Sequence, residues 1–226
     1  MSNEFETKGV KLAKLPSDYG STGFKMFKGS ILNNVEIAYE TWGELSINND
    51  NAILLFTGLS PSSHAASSDN NKAEGWWEYM IGPNKPIDTN KHFVICINSL
   101  GSCFGSTSPA SINKANGETY GLTFPELSIE DIAKSGHAVL QTLGIDHVHT
   151  VMGPSMGGMT ALAYALLFPN SLSNLIVISA AARALPFTIS IRSLQRELIR
   201  SDPLWNNGIY KKDSAPLNGM KLARKL

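Results

Sequence analysis

This sequence predicts an α/β fold with a mainly parallel sheet, on three observations. Continuous apolar runs of strand length at 52–56 (AILLF), 92–98 (HFVICIN) and 175–181 (LIVISAA) alternate with helix-period segments at 125–143 and 156–168. No internal repeat offers a solenoid instead. The stretch 148–168, VHTVMGPSMGGMTALAYALLF, joins a β-prone run to a helix through Gly153-Pro154-Ser155-Met156-Gly157. That is G-x-S-x-G in the strand–turn–helix setting that gives the pattern its meaning.

Taken in order, residues 1–30 are polar, with Gly and Ser punctuation at 19–23. Residues 31–42 (ILNNVEIAYETW) alternate apolar and polar and read as an outer, antiparallel strand. The unbroken run 52–56 reads as a buried central strand, ending at the small-residue loop Thr57-Gly58-Leu59-Ser60-Pro61. Residues 70–90 read as a short helix or an irregular loop, with Trp76 and Trp77 as packing residues. The second buried strand, 92–98, runs into another small-residue loop, 99–111. In 125–143, Ile129, Ile132, Ala133, Val139, Leu140 and Leu143 share helical spacing, and Ser128 with Asp131 makes a capping box. Residues 175–181 read as a further buried strand. From Leu185 the pattern changes to a helix, a Pro/Asn/Gly loop and a last helix from near Gly219, the start of a helical cap. The expected division is therefore an incomplete core at 1–184 and a cap insertion beginning at 185–226.

Composition bounds the function. Nineteen Lys+Arg balance nineteen Asp+Glu, which gives no basic face for nucleic acid or for a membrane. Cys96 lies in an apolar run and Cys103 in a loop, so free thiols are expected over a disulfide. The start MSNEFETKGV has no apolar signal region, and no run approaches membrane-spanning length, so a cytoplasmic location is expected.

The chemistry centres on Ser155. Glycines on either side relieve the collisions of a sharp turn, and the free N–H groups and dipole of the following helix favour negative charge there. Ser155 is the candidate nucleophile; the plainer reading is a glycine-rich turn with an idle serine. The loop at 57–61 lies where open α/β sheets bind ligands, and the amides of Leu59 and Met156 are the candidate oxyanion donors. A serine nucleophile needs a base and a group to orient it, in the order Ser, Asp or Glu, His. No histidine follows Ser155. His64 stands as a weak substitute, and His137, His147 and His149 as structural or exposed residues. The expectation is a chain lacking its triad Asp and His and so nearly inert, since losing the base costs on the order of 10⁶ in rate, about 8 kcal/mol.

The segments YETWGEL (39–45), TGLSPSSHAA (57–66), GWWEYMIGPNKPIDT (75–89), NSLGSCFGSTSPASIN (98–113), FPELSIEDIA (124–133), GPSMGGMTAL (153–162) and LPFTISIRSLQRE (185–197) carry a resemblance. Over residues 31–226 the chain resembles the homoserine O-acetyltransferase family, acyltransferases of the α/β-hydrolase fold, and within it the serine O-succinyltransferases. The resemblance implies acyl transfer from an acyl-CoA co-substrate to the hydroxyl of L-serine or L-homoserine through a Ser155 acyl-enzyme, in cysteine or methionine biosynthesis. It implies no other cofactor, no metal, and a homodimer at full length. Arg224 matches the arginine that holds the amino acid carboxylate, with a solvated helix charge as the alternative. Gly58, Leu59, Ser60 and Pro61 fall where members vary with the acceptor. Arg192 falls where they vary with the acyl group, and a succinyl carboxylate calls for such a cation; a surface position beside Arg183, Arg196 and Arg200 is the other reading. Acetyl-CoA with homoserine, plain ester hydrolysis and a non-catalytic fragment are the competing functions. Ser108 stands where the family usually has glycine, which predicts crowding in its loop.

Overall fold

The computed structural model describes residues 8–16, 23–210 and 212–226. Residues 1–7, which include most of the start read above for a signal region, and the punctuation at 19–22 lie outside them. The strands are β1 (Lys11–Lys14), β2 (Phe24–Lys25), β3 (Ile31–Leu32), β4 (Glu36–Trp42), β5 (Ala52–Phe56), β6 (Ile81–Gly82), β7 (Ile87–Asp88), β8 (Phe93–Ile97), β9 (Val148–Pro154) and β10 (Leu172–Ile178). The helices are α1 (Ile129–Thr142), α2 (Met156–Leu167), α3 (Pro186–Arg200) and α4 (Leu217–Lys225). Six strands form one sheet in the order β1-β4-β8-β5-β9-β10. The pairs β8/β5, β5/β9 and β9/β10 are parallel, and β1/β4 and β4/β8 antiparallel. The α/β expectation holds.

The apolar runs have no polar face because both sides of the sheet are covered. Leu54, Phe56, Ile95, Ile97 and Val151 point to the α1/α2 side. Their neighbours Ile53, Leu55, Val94, Cys96 and Met152 point to a second core with Trp42, Trp77, Ile81 and Ile87. Each fully buried aliphatic side chain contributes about 1.5–3 kcal/mol, so the two cores hold the sheet from opposite faces. Helix α1 starts where its capping box predicts: Ser128 Oγ accepts from Asp131 N, and Asp131 Oδ2 accepts from Ser128 N at 2.9 Å. The same buried carboxylate accepts from Phe27 N at 2.6 Å, tying the β2–β3 hairpin to the helix. Cys96 and Cys103 are free, as expected.

Four expectations need correction. The strand at 31–42 breaks into β3 and β4, with Asn34 at φ 53 between them. β4 is also not an outer strand, because the short polar β1 pairs along its far side. Residues 70–90, read as a short helix or an irregular loop, take the second form, with turns and the two-residue pair β6/β7. The last strand begins earlier than 175, and it is not buried: Leu175 is 38 % and Ile176 44 % exposed. Ser108 does not crowd its loop; its hydroxyl accepts from Ala110 N and its amide donates to Ser111 Oγ, so it caps a turn. No helix among the described residues is long and apolar enough to cross a membrane.

Two predictions follow from the α1/α2 side of the core. A Cβ on Gly136 of α1 would lie 2.7 Å from the Phe56 ring, so overpacking of about 1–3 kcal/mol outweighs alanine's helix propensity of about 1 kcal/mol. Gly136→Ala is expected to lower stability in urea unfolding, where an exposed helical glycine changed to alanine raises it. His137 is stacked on Phe168 with ring centroids 3.8 Å apart, and its Nδ1 lies 3.2 Å from the Tyr164 hydroxyl. Burial pushes its pKa down, and the charge of Asp146 only partly offsets this. A depressed folded-state pKa contributes stability above the unfolded value of about 6.5 that is lost as pH falls through the folded one. The acid-side loss of stability is expected to be shallower in His137→Gln than in the parent chain, measured by thermal unfolding between pH 7 and pH 5.

Candidate active site

β5 and β9 are adjacent and parallel, so the loops at their carboxyl ends emerge side by side. β9 ends at Pro154, and Ser155 turns the chain into α2 with φ 55 and ψ −121. Such a backbone costs a non-glycine residue of order 1–3 kcal/mol. The turn is tight enough to exclude side chains around it. A Cβ on Gly157 would lie 2.3 Å from the Phe56 carbonyl oxygen, and one on Gly153 would lie 2.4 Å from the Gly157 carbonyl. The helix N-terminus therefore rests directly on the end of β5.

Ser155 is exposed, and its own amide is held by the Ile178 carbonyl at 2.9 Å. Its carbonyl accepts from Gly158 N and Met159 N, which starts the helix. Met156 N, at the first helical position, has no acceptor within the helix. From β5, Gly58 approaches so closely that a Cβ there would lie 3.9 Å from Ser155 Cβ and 3.7 Å from the Pro154 carbonyl oxygen. Leu59 follows with an exposed side chain. The structure thus brings together Ser155, Met156 and the start of the 58–61 loop.

The two arginines belong elsewhere in the chain, on helices that pack on each other. Gly219 of α4 sits against the Leu198 carbonyl of α3, and its amide donates to Asp202 Oδ2 at 2.8 Å. Arg192 on α3 donates from Nη1 to Gln195 Oε1 at 2.8 Å, and Gln195 Nε2 donates to the Ala223 carbonyl, one residue before Arg224. Arg192 and Gln195 also line a groove of about 230 Å³ with Phe187, Thr188, Ile191 and Leu226. Arg224 is exposed. Among the described residues, no hydrogen bond or ion pair joins either arginine to the Ser155 turn.

None of the five histidines serves Ser155. His149 and His147 stand at the start of β9, about 20 Å from its far end at 3.3 Å per residue. His92 precedes β8, again at an amino end. His137 faces Tyr164 and Phe168 at the distal end of α2. His64 is near the site, but it is not a substitute base. It is 9 % exposed, with Nδ1 2.9 Å from Glu40 Oε2 and Nε2 2.9 Å from the Ala73 carbonyl oxygen, so both ring nitrogens are engaged.

The polar cluster around His64 was not legible as a unit in the sequence. Glu40 is 1 % exposed, and its Oε1 accepts from Ser63 Oγ at 3.1 Å. Asn98, at the end of β8, accepts from Ser63 N and donates to Ser63 Oγ and to the Phe104 carbonyl. The one signal is a glutamate within the strand run 36–42, and it does not say which loop will meet it.

Comparison with known proteins places this geometry in context. Residues 51–226 match the family model described as alpha/beta hydrolase fold. A serine O-succinyltransferase of Litchfieldella anticariensis is 60% identical over 202 residues, 89% of this chain and 55% of that protein. Among solved structures, homoserine O-acetyltransferase from Bacillus anthracis superposes with a TM-score of 0.85 at 32% identity, covering 96% of this chain and 59% of the other. Esterase E22 superposes with a TM-score of 0.85 at 33% identity, covering 96% and 60%. The chain spans a little over half the length of the curated relatives it matches. The strained, exposed serine between a parallel strand and a helix, the sheet order around it and the match to the family model agree, and the chain belongs to the alpha/beta hydrolase fold family.

Proposed function

We propose that the protein to which this chain contributes transfers an acyl group from acyl-CoA to the side-chain hydroxyl of L-serine, with succinyl-CoA as the donor. The observation that carries the reading is the exposed Ser155 at φ 55, on a helix N-terminus beside a second strand-end loop. Similarity to serine O-succinyltransferases at 52–60% identity supports the acceptor and the donor.

In this mechanism Ser155 Oγ attacks the thioester carbonyl as a base removes its proton. The carbonyl oxygen becomes an oxyanion, met by the amides of Met156 and Leu59, and the tetrahedral intermediate collapses with loss of the CoA thiol. The serine hydroxyl of the acceptor then attacks the acyl-enzyme, and O-acylserine leaves as Ser155 recovers its proton. Gly58, Leu59, Ser60 and Pro61 border the acceptor, Arg224 holds its carboxylate, and Arg192 pairs with the free carboxylate of the succinyl group. Residues 185–226 act as the beginning of a cap over a core at 1–184. Because the five histidines are all placed for other work, the 226-residue chain alone is nearly inert. A base and its orienting carboxylate come from outside these residues.

A second reading, ester hydrolysis, is favoured by the likeness to esterase E22 and by the open setting of Ser155. Water and serine are alternative acceptors for the same acyl-enzyme. The full-length protein incubated with succinyl-CoA and L-serine is expected to yield O-succinylserine; free succinate in its place would overturn transfer. Ser155→Ala and Ser155→Gly are both expected to abolish product. Only the glycine variant relieves the positive φ, so it is expected to be more stable than the alanine variant by about 1–3 kcal/mol in urea unfolding. Arg192→Leu is expected to lower kcat/KM for succinyl-CoA by about 10- to 100-fold, the weight of a charged hydrogen bond, while sparing acetyl-CoA.

A further inference from the structure

His64 carries more chemistry than a packed loop residue needs. A carbonyl oxygen only accepts, so Nε2, 2.9 Å from the Ala73 oxygen, bears a proton. Glu40 Oε2 lies 2.9 Å from Nδ1, which places a second proton between those two atoms. The other carboxylate oxygen is already committed. Asn98 Nδ2 donates to Ser63 Oγ, so the Ser63 hydroxyl proton is directed at Glu40 Oε1. The pair is neutral overall with that second proton present and carries one net negative charge without it.

We infer that His64 and Glu40 form a one-proton latch that positions the 57–66 loop, and with it the Leu59 amide, against Ser155. The latch spans the loop and three neighbours. Glu40 belongs to β4, Asn98 to the end of β8, and Ala73 to the segment that packs over the loop. Ser63 N donates to Asn98 Oδ1 at 2.6 Å, and Trp76 Nε1 donates to the Ser62 carbonyl at 2.9 Å. Residues 62–64 are therefore fixed from three sides, four residues downstream of Gly58 at the nucleophile. His64 touches no reacting atom in this arrangement; it is a positioning residue.

Removing the shared proton sets acceptor against acceptor across one of the two 2.9 Å contacts, inside a site with little water to screen it. The groups facing the ring are Glu40, Glu78 and the Asn71 amide, whose Nδ2 lies 3.3 Å from Nδ1 and becomes the donor to a bare nitrogen. On the other side of Glu40 lies Cys96, whose thiol burial and the Glu40 charge keep protonated. Burial lowers the His64 pKa, but the Glu40 hydrogen bond, the Ala73 carbonyl and the charges of Glu40 and Glu78 raise it on balance. A raised folded-state pKa gives stability that is complete below about 6.5 and lost as pH rises through the folded value. The loop is accordingly held below the folded-state pKa of His64 and released as pH rises through it.

This inference rests on the reading of Leu59 as an oxyanion donor, but its test needs no catalysis. In the 226-residue chain labelled with ¹⁵N, nuclear magnetic resonance is expected to show both His64 ring nitrogens protonated at pH 6.5. The Leu59 amide should titrate with the midpoint of His64, above 6.5. Glu40→Gln is expected to shift that midpoint downward, and His64→Gln to remove the pH response of Leu59 while the rest of the spectrum is kept. A His64 ring with one bare nitrogen at pH 6.5 overturns the latch. So does a Leu59 amide indifferent to the His64 titration, even where neither variant folds. Failure of acyl transfer in the full-length protein would leave these titrations unchanged, so the two readings fail separately.

Discussion

The contact on which the rest of the site depends is that of Gly157 with the Phe56 carbonyl. A helix cannot begin this close to a neighbouring strand if a side chain intervenes, and here even a methyl group would lie 2.3 Å from backbone oxygen. Because α2 is seated there, the chain must reverse at Ser155 within one residue, and positive φ is the result. The same seating puts the first helical amide next to the loop leaving β5. Strain, exposure and the convergence of two strand ends are thus one geometric fact seen from three sides. An unfavourable backbone of order 1–3 kcal/mol is tolerated because two adjacent parallel strands and a buried helix over-determine it.

Local pattern made much of this legible. The capping box of Ser128 and Asp131 starts α1 where its spacing says, and the runs read as strands at 52–56 and 92–98 are strands at 52–56 and 93–97, because their length and continuity leave little else. What sequence could not supply was each element's neighbours. β1 is four residues, three of them exposed or lysine, and becomes a strand only by pairing with β4. β10 has the composition of a buried strand, yet Leu175 and Ile176 are open, because burial depends on what lies alongside and not on the strand itself. Glu40 and His64 are 24 residues apart and meet only because the sheet order places β4 beside β8 and the loop above both.

Carboxylates elsewhere in the chain show why the Glu40 site is different. Asp131 accepts the amides of Phe27 and Ser128, and Asp202 those of Leu204 and Gly219. For Glu78, burial works against ionisation, but the Ser67 and Gly75 amides, the Ser67 hydroxyl and Lys85 bring its pKa down to about 2. Each of these groups holds at least two backbone N–H donors, which do not titrate. Glu40 binds a hydroxyl and an imidazole instead, so the strength of its attachment depends on a proton that ordinary pH can remove. Among the described residues of a neutral chain with 19 charges of each sign, the one such pair lies under the loop that borders Ser155.

In the proposed mechanism, whether the acyl group goes to an amino acid or to water is decided by cover and not by the turn. The turn fixes Ser155 and the start of α2, and as the proposed nucleophile and oxyanion site those would serve an esterase and a transferase equally. Discrimination must come from groups that hold the acceptor while keeping solvent away from the carbonyl. Within these residues Ser155 is open, while Phe187 on α3 is 77 % exposed and Leu217 on α4 also presents its side chain to solvent. An apolar face of that kind, carrying Arg192 and followed by Arg224, offers what the proposed transfer would demand: surface to exclude water and cations for carboxylates. A bare elbow has neither. On the proposed reading, changes on α3 and α4 act on the partition between acceptors, whereas changes at Gly153, Ser155 and Gly157 act on whether the acyl-enzyme forms.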